Sequence, residues 1–135
     1  MRCISLLVAG AILGSCTNVP PTPVAPSPKA QATFARLTAG KVPGPPVNCV
    51  PNYNTNDQGV IDGRTLSFRV GTGTVYIVHL TPGCEAIGGG PYALLSRQYG
   101  GMGLCRGDIQ QVVDTMAHVG AGSCIVGEIV PYRRP

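Results

Sequence analysis

Apolar and polar residues alternate along the segment TLSFRV, residues 65–70, which is the period of a strand with one buried face. A glycine-flanked turn, Gly71–Gly73, follows it, and the next segment, TVYIVHL at 74–80, is rich in β-branched and aromatic residues. Together these features predict a β-hairpin, and Thr81-Pro82-Gly83 is expected to end its second strand.

Weaker patterns on either side of the hairpin predict further strands. Val60 and Ile61 precede Asp62-Gly63, a turn signal, and are expected to end an earlier strand that begins near Cys49. The same criteria assign three later segments: a mobile glycine-rich loop at 88–91, a short strand at 92–95 and a closing strand at 123–131.

The segment Gly107–Val119 supports two interpretations. Its apolar residues at 109, 112, 113 and 116 have helical spacing, and Asp108 with Gln111 resembles a capping box. The alternation at 109, 111 and 113 and the pair Val112-Val113 favour a strand instead. The local pattern by itself favours the helix.

The first sixteen residues have the form of an export signal. A basic Arg2 precedes an apolar run from Ile4 to Leu13, which is too short for a permanent membrane span of about 20 residues. Leu13-Gly14-Ser15-Cys16 resembles a bacterial lipobox. We therefore expect a signal peptide at 1–15 and a lipid-anchored Cys16, with simple secretion after cleavage as the alternative.

The residue after Cys16 bears on localisation. Lipoproteins that resemble those retained at the inner membrane usually have Asp directly after the lipidated cysteine. This chain has Thr17 at that position. The expectation is therefore a cell-envelope protein, anchored in the outer membrane and facing the periplasm. Several acyl chains on one cysteine would make that attachment stable.

A proline-rich stretch follows, and with the lipidated cysteine it is expected to form a tether over residues 16–47. Prolines crowd both its ends, which is typical of an extended, semi-rigid spacer. Ala30–Leu37 can form a short helical turn with Phe34 and Leu37 on one side. That piece is either a partner-binding segment or part of the solvated tether, and the pattern favours the tether.

The remaining residues, 48–135, are expected to form one disulfide-stabilised β domain. Its four cysteines are Cys49, Cys84, Cys105 and Cys124, and an even count in an exported domain predicts two disulfides. Three pairings are possible, and we expect Cys84–Cys105 and Cys49–Cys124. The absence of a C-x-x-C pair argues against a zinc site, so no metal or cofactor is predicted.

The charge balance indicates no nucleic-acid partner. Loss of Arg2 from the ten basic residues leaves nine, against six acidic ones, and this excess of three is dispersed along the chain. No basic stripe is interleaved with aromatic residues. Ordinary solubility explains the excess better than a preference for anionic surfaces.

The residues from Cys49 to Pro131 resemble an uncharacterised family of small exported proteobacterial domains. The matching features are IDGRTLSF at 61–68, then Tyr76, Leu80 and Cys84, then LCRGDI at 104–109 and CIVGEIVP at 124–131. The resemblance implies a β-rich envelope protein and no established activity, and the glycines at 88–90 depart from it. It favours a strand at 109–114 and a mainly β fold, a small barrel-like or sandwich domain with two disulfides and room for one short helix.

The sequence carries no pattern typical of an enzyme. It lacks G-x-S-x-G and H-E-x-x-H motifs. His79 is expected to be a solvent-facing or hydrogen-bonded strand residue and not a general base. His118 is a still weaker candidate for a general base. Asp62 and Asp108 each precede or follow glycine, so turn formation explains them, and the tripeptide Arg106-Gly107-Asp108 has the same explanation.

The function class that remains is a non-catalytic binding or structural module of the envelope. A partner's strand can add to an exposed sheet edge, and the tyrosines at 53, 92, 99 and 132 are candidate interface residues, although core capping is the better explanation for each. The alternative is an inhibitor of a secreted hydrolase such as lysozyme, since the segment GTGTVY at 71–76 loosely resembles a motif of such inhibitors.

Overall fold

The structure is a computed structural model that describes residues 25–51, 57–97 and 103–135. Within these ranges the chain forms one α-helix, α1 (Pro28–Thr38), and a 3₁₀ turn at Glu85–Gly88. The strands in the same ranges are β1 (Val42–Pro43), β2 (Cys49–Val50), β3 (Gln58–Asp62), β4 (Thr65–Val70), β5 (Thr74–Leu80), β6 (Tyr92–Arg97), β7 (Leu104–Cys105), β8 (Ile109–Asp114) and β9 (Gly120–Arg133).

The predicted hairpin is confirmed as β4 and β5. The two strands pair in register from Thr65 opposite His79 to Val70 opposite Thr74. Gly71 in the connecting turn has φ 62°, a conformation that glycine adopts without steric cost. Leu66 and Phe68 are at most 1 % exposed, so the alternation seen in the sequence does mark a buried face.

The main sheet is antiparallel and has the strand order β3-β4-β5-β9-β8-β6, with β1 paired to β9. The fourteen residues of β9 hold the sheet together because β8 pairs with their first half and β5 with their second. A strand shared in this way makes a corner between two parts of a sheet. The result is a curled half-barrel, so the predicted mainly β, barrel-like fold is confirmed.

The main core lies inside this curl. Its members come from strands that are far apart in the sequence, and they include Val50, Leu66, Phe68, Tyr76, Val78, Leu80, Leu104, Val112, Val126 and Ile129. A small separate sheet, formed by β2 and β7, closes one side. Such non-local contacts are what a chain of this size needs to bury enough apolar area.

The segment after Gly107 is the strand β8, so the helix favoured by local spacing is wrong and the strand implied by the resemblance is right. Gln110 and Val112 are at most 1 % exposed, while the alternate residues Ile109, Gln111 and Val113 are half-buried. Pairing with β6 on one side and β9 on the other supplies this segment's backbone hydrogen bonds. Tertiary pairing therefore overrides the helical period.

The short strands predicted around the hairpin are partly confirmed. The expected segments at 92–95 and 123–131 are present in β6 and β9, which extend to Tyr92–Arg97 and Gly120–Arg133. Val60 and Ile61 lie in β3, which begins at Gln58, whereas Cys49 belongs to β2 in the small sheet. The glycine-rich segment begins in the 3₁₀ turn, where Ile87 N–H donates to the Cys84 carbonyl.

The four cysteines form two disulfides as predicted, but the expected pairing is wrong. The bonds are Cys49–Cys105 and Cys84–Cys124. The register of β2 and β7 places Cys49 directly opposite Cys105. Cys124 lies in the middle of β9, close to the loop that carries Cys84 after β5, and neither neighbourhood is visible from spacing along the chain.

The solvated tether predicted for 16–47 is wrong for its second half, because residues 28–47 pack on the domain. The Ser27 hydroxyl caps α1 by accepting a hydrogen bond from Ala30 N–H at 3.2 Å. Leu37 is 7 % exposed and packs with Val75 and Ile77 on the outer side of the sheet. The Phe34 ring meets Tyr132 edge-on at 5.7 Å between centroids.

The chain after α1 stays attached to the same sheet. β1 pairs with the end of β9, Val42 opposite Arg133, and Val47 bridges to Ile129. Both observations move the start of the folded unit from residue 48 to about Ser27. Residues 16–24 of the predicted tether lie outside the described residues.

Candidate interaction surfaces

The outer face of the sheet formed by β6, β8 and β9 carries aliphatic side chains. Ile109 lies directly opposite Ile125 on one side and Arg97 on the other, and Leu95 lies opposite Gln111. Because opposite residues in an antiparallel sheet point to one face, Leu95, Ile109, Val113 and Ile125 share that face. We call these four residues the outer apolar face.

Exposure separates this face from the core-facing side of the same strands. Leu95 is 54 % exposed and Ile125 is 46 % exposed, whereas Gln110, Val112 and Val126, from alternating positions, are at most 2 % exposed. Arg97, Gln111 and Ser123 lie among the aliphatic residues. An apolar centre with polar neighbours is the usual anatomy of a protein–protein interface.

The β8–β9 hairpin carries two further exposed apolar side chains, beyond the ends of the strands. Met116 is 77 % exposed and Val119 is 57 % exposed. The tip has a defined shape, since Asp114 Oδ1 accepts hydrogen bonds from the N–H groups of Met116 and Ala117 at 2.8 and 2.9 Å. The hydroxyl and the backbone N–H of Thr115 also donate hydrogen bonds to the Pro91 carbonyl, beside β6.

A basic pocket of about 250 Å³ lies around the β4–β5 turn, on strands that do not carry the outer apolar face. Its described lining residues include Arg36 and Leu37 of α1, Lys41, Arg69 of β4, and residues 71–75, which form the turn and the start of β5. Arg36 and Arg69 are exposed and Lys41 is half-buried. This pocket exists only because α1 is packed beside the hairpin.

A second cavity, of about 290 Å³, lies between α1 and the sheet. Phe34, Ala30 and Ile61 give it apolar walls, and Asp62, Thr65 and His79 lie among its other lining residues. His79 is exposed on β5 and opposite Thr65. The predicted solvent-facing strand position of His79 is therefore confirmed.

The aspartates selected from the sequence occupy turns, as predicted. Asp62 Oδ1 accepts a hydrogen bond from Arg64 N–H at 2.8 Å at the β3–β4 turn. Asp108 is 4 % exposed and its Oδ2 accepts from Cys105 N–H at 2.7 Å. Both carboxylates satisfy backbone donors, which explains their positions without catalysis.

The tripeptide Arg106-Gly107-Asp108 forms a turn. Gly107 has φ 91° and its N–H donates to the Val126 carbonyl, which ties the turn to β9. His118 has φ 56° in the β8–β9 hairpin, and its backbone N–H donates to the Asp114 carbonyl. Turn geometry therefore explains both the tripeptide and the positive φ of His118 without a binding or catalytic role.

Glu85 has an altered ionisation. Hydrogen bonds from its own backbone N–H and from Gly83 N–H, together with the Arg64 guanidinium, lower the pKa of this carboxyl, and burial opposes them only in part. The Arg64 Nε to Glu85 Oε1 distance is 3.0 Å. The pair links the β3–β4 turn to the 3₁₀ turn after β5.

The tyrosines selected as interface candidates contribute to the two cores where the structure describes them. Tyr92 packs against the main core, and Tyr132 packs against Phe34 in the smaller cluster. Tyr53 and Tyr99 lie outside the described residues, as does Cys16. The exposed aliphatic residues on strands were missed, although the alternation in β8 and β9 carried the signal for them.

Among residues 25–51, 57–97 and 103–135, no three His, Cys, Asp or Glu side chains are grouped to hold a metal ion. No helix in these ranges is both long and apolar enough to cross a bilayer. Comparison with protein-family models, curated proteins and solved structures found no match to this chain.

Proposed function

We propose that this protein is a lipid-anchored envelope module that binds a protein partner through the outer apolar face. The single observation that carries the proposal is the exposure of Leu95 and Ile125, at 54 % and 46 %, on a sheet whose other side is a closed core. Large exposed aliphatic residues grouped on one surface are typical of interaction sites.

The sheet beneath this face is well suited to present it. Cys124, adjacent to Ile125, is bonded to Cys84 in the core. Gln110, adjacent to Ile109, is buried and within 2.7 Å of the Ser96 hydroxyl. A preorganised surface loses little conformational entropy on binding, which favours affinity.

A photocrosslinking amino acid placed at Leu95, and in a second strain at Ile125, tests this surface in cells. The matched control is Val60, which is 40 % exposed on β3 at the opposite edge of the sheet. We expect one envelope protein to be captured at both test positions and not at Val60, and Leu95→Glu to abolish capture at Ile125. Capture of the same proteins at all three positions would refute the outer apolar face as the binding surface.

The anchor is proposed from Leu13-Gly14-Ser15-Cys16 and is tested separately. Globomycin, which blocks lipoprotein signal cleavage, should make the precursor accumulate, and Cys16→Ala should release the protein from membranes. Normal processing in the presence of globomycin would contradict lipidation. The resemblance to exported domains of unknown function is consistent with the same location and remains part of the proposal.

The second candidate function is inhibition of a secreted hydrolase such as lysozyme. The observation in its favour is the exposed β4–β5 turn with Arg69 beside it, because glycosidase clefts carry paired carboxylates. Val75 and Tyr76 are 5 % and 4 % exposed, so only the first part of the 71–76 motif is accessible. Suppression of lysozyme at near-stoichiometric protein would support this candidate, and full lysozyme activity would eliminate it.

A further inference from the structure

We infer that the basic pocket around the β4–β5 turn is a binding site for a phosphate-type oxyanion. Three cationic side chains from separate parts of the chain line it: Arg36, Lys41 and Arg69. No carboxylate is present among the described residues that line it. This site is independent of the outer apolar face, which belongs to other strands.

The pocket is held open by packing on both of its walls. Leu37, next to Arg36, is buried against Val75 and Ile77, which follow the turn in β5. On the other wall, Arg69 belongs to β4 and lies opposite Val75 in the hairpin register. The cations are therefore brought together before any ligand arrives, and their mutual repulsion is relieved when an anion binds.

The chain that leaves α1 fixes the third cation. Lys41 Nζ donates to the Leu37 carbonyl at 3.0 Å, which compensates the negative end of the helix. An ammonium group has three donor protons, so this bond leaves two for a ligand. Pairing of Val42 with Arg133 holds the adjacent backbone to β9.

The donors present suit a phosphate group. Guanidinium groups bind phosphate oxygens with two parallel hydrogen bonds, and lysine adds a point charge. Thr72 and Thr74 contribute hydroxyl groups at the turn, and Gly71 and Gly73 leave open space beside them. A volume of about 250 Å³ equals that of roughly eight waters, which accommodates a phosphate and part of the group that bears it.

The test uses the full chain, isotopically labelled, in zwitterionic detergent micelles. Inorganic phosphate and glycerol phosphate are titrated while the amide resonances of residues 71–74 are followed. We expect saturable shifts at these amides, and at least a tenfold loss of affinity in Arg36→Gln/Arg69→Gln. Arg97→Gln/Arg106→Gln removes the same two charges from exposed positions outside the pocket and should change affinity less than twofold.

The source of the phosphate is distinguished by adding phosphatidylglycerol to the micelles, with phosphatidylcholine as the control. Shifts at 71–74 that phosphatidylglycerol also produces identify a lipid headgroup, whereas shifts confined to the soluble phosphates identify a free or polymeric phosphate. The inference is overturned if neither soluble phosphate produces saturable shifts at 71–74. An equal loss of affinity in Arg97→Gln/Arg106→Gln would overturn it as well, since general surface charge would then explain the binding.

Discussion

At the scale of single residues, two glycines allow a close backbone approach where the loop after β5 passes β9. Gly83 has φ 120° and Gly122 has φ 151°. A Cβ on Gly83 would overlap the Ser123 carbonyl oxygen, and one on Gly122 would overlap the Gly83 carbonyl oxygen. Both glycines stand next to the buried Cys84–Cys124 bond, so the loop can lie flat on the strand only without side chains here.

Gly83→Ala is expected to destabilise the fold by about 2 to 4 kcal/mol, because a strained φ and a steric overlap add together. Gly89→Ala is the matched control, since Gly89 has an extended φ of −169° and open space around its Cα. The control should change stability by less than about 1 kcal/mol. Urea unfolding followed by circular dichroism measures both, and equal stability of the two variants would contradict the close approach.

The lowered pKa of Glu85 predicts that its contribution to the stability of the fold depends on pH. Because its pKa is lowered in the folded protein, its ionised form stabilises the fold above the unfolded value of about 4.3. That contribution disappears as the pH falls through the lowered folded pKa. Since the Glu85 side chain is 51 % exposed, Glu85→Gln should cost only about 0.5 kcal/mol at pH 7.

The measurement compares the free energy of unfolding of Glu85→Gln and the original chain at pH 7 and near pH 2. The difference should shrink towards the lower pH, as the carboxyl takes up its proton in the folded state as well. Glu128→Gln, at an exposed position of β9, controls for the loss of one negative charge. A difference that persists at low pH would show that Glu85 acts through packing and not through its charge.

At the scale of elements, α1 is the cover of a strand with two buried faces. Tyr76, Val78 and Leu80 of β5 point into the main core, while Val75 and Ile77 point to the helix side. Without a second covering layer, a strand with apolar residues on both faces would expose one of these faces to water. The helix that precedes the domain in sequence supplies the missing layer.

Leu37→Ala is therefore expected to detach α1, because it weakens the packing of the helix on the sheet by about 2 to 4 kcal/mol. Hydrogen exchange of the α1 amides should accelerate by a larger factor than exchange in β4 and β5. Leu95→Ala makes the same chemical change at a residue that is 54 % exposed, and it should leave α1 protected. Unchanged helix exchange in Leu37→Ala would contradict the covering role.

The same elements explain how far sequence patterns could predict this fold. The hairpin was predictable because β4 alternates and its turn contains two glycines. The helix was missed as part of the core, although the unbroken apolar run VYIV of β5 already required a layer on each face. For β8, helical spacing and strand alternation coexist, and only pairing with β6 and β9 decides between them.

The candidate sites depend even more on tertiary structure. Arg36 and Arg69 are thirty-three positions apart in the chain, and they line one pocket only because Leu37 anchors the helix beside Val75. Ile109 and Ile125 become neighbours through the β8–β9 register. Side-chain chemistry was visible in the sequence, whereas its grouping on surfaces was not.

At the scale of the whole molecule, the two disulfides interleave along the chain, because Cys84 lies between the two cysteines of the Cys49–Cys105 bond. Trypsin cuts after Lys41, Arg64, Arg69, Arg97, Arg106 and Arg133, so each of these four cysteines falls in a different peptide. Non-reducing peptide mapping should join 42–64 to 98–106 and 70–97 to 107–133. A disulfide between peptides 70–97 and 98–106 would instead show the Cys84–Cys105 bond that was expected from the sequence.

The two bonds should contribute unequally to stability. By loop closure alone, the separation of 56 residues in Cys49–Cys105 favours it by only about 0.3 kcal/mol over the separation of 40 in Cys84–Cys124. Burial acts in the other direction and is the larger effect. Cys84 and Cys124 are 0 % and 3 % exposed in the main core, so their removal leaves a cavity, whereas Cys49 and Cys105 are half-buried.

We therefore expect Cys84→Ala/Cys124→Ala to lose at least about 1 kcal/mol more than Cys49→Ala/Cys105→Ala. Urea unfolding of both variants gives the comparison, once mass spectrometry has verified that the remaining disulfide is intact. Cys84→Val/Cys124→Ala refills part of the cavity and should recover part of the loss, which separates packing from chain entropy. A larger loss for the Cys49–Cys105 variant would mean that loop closure, and with it the small β2–β7 sheet, governs the stability of the whole domain.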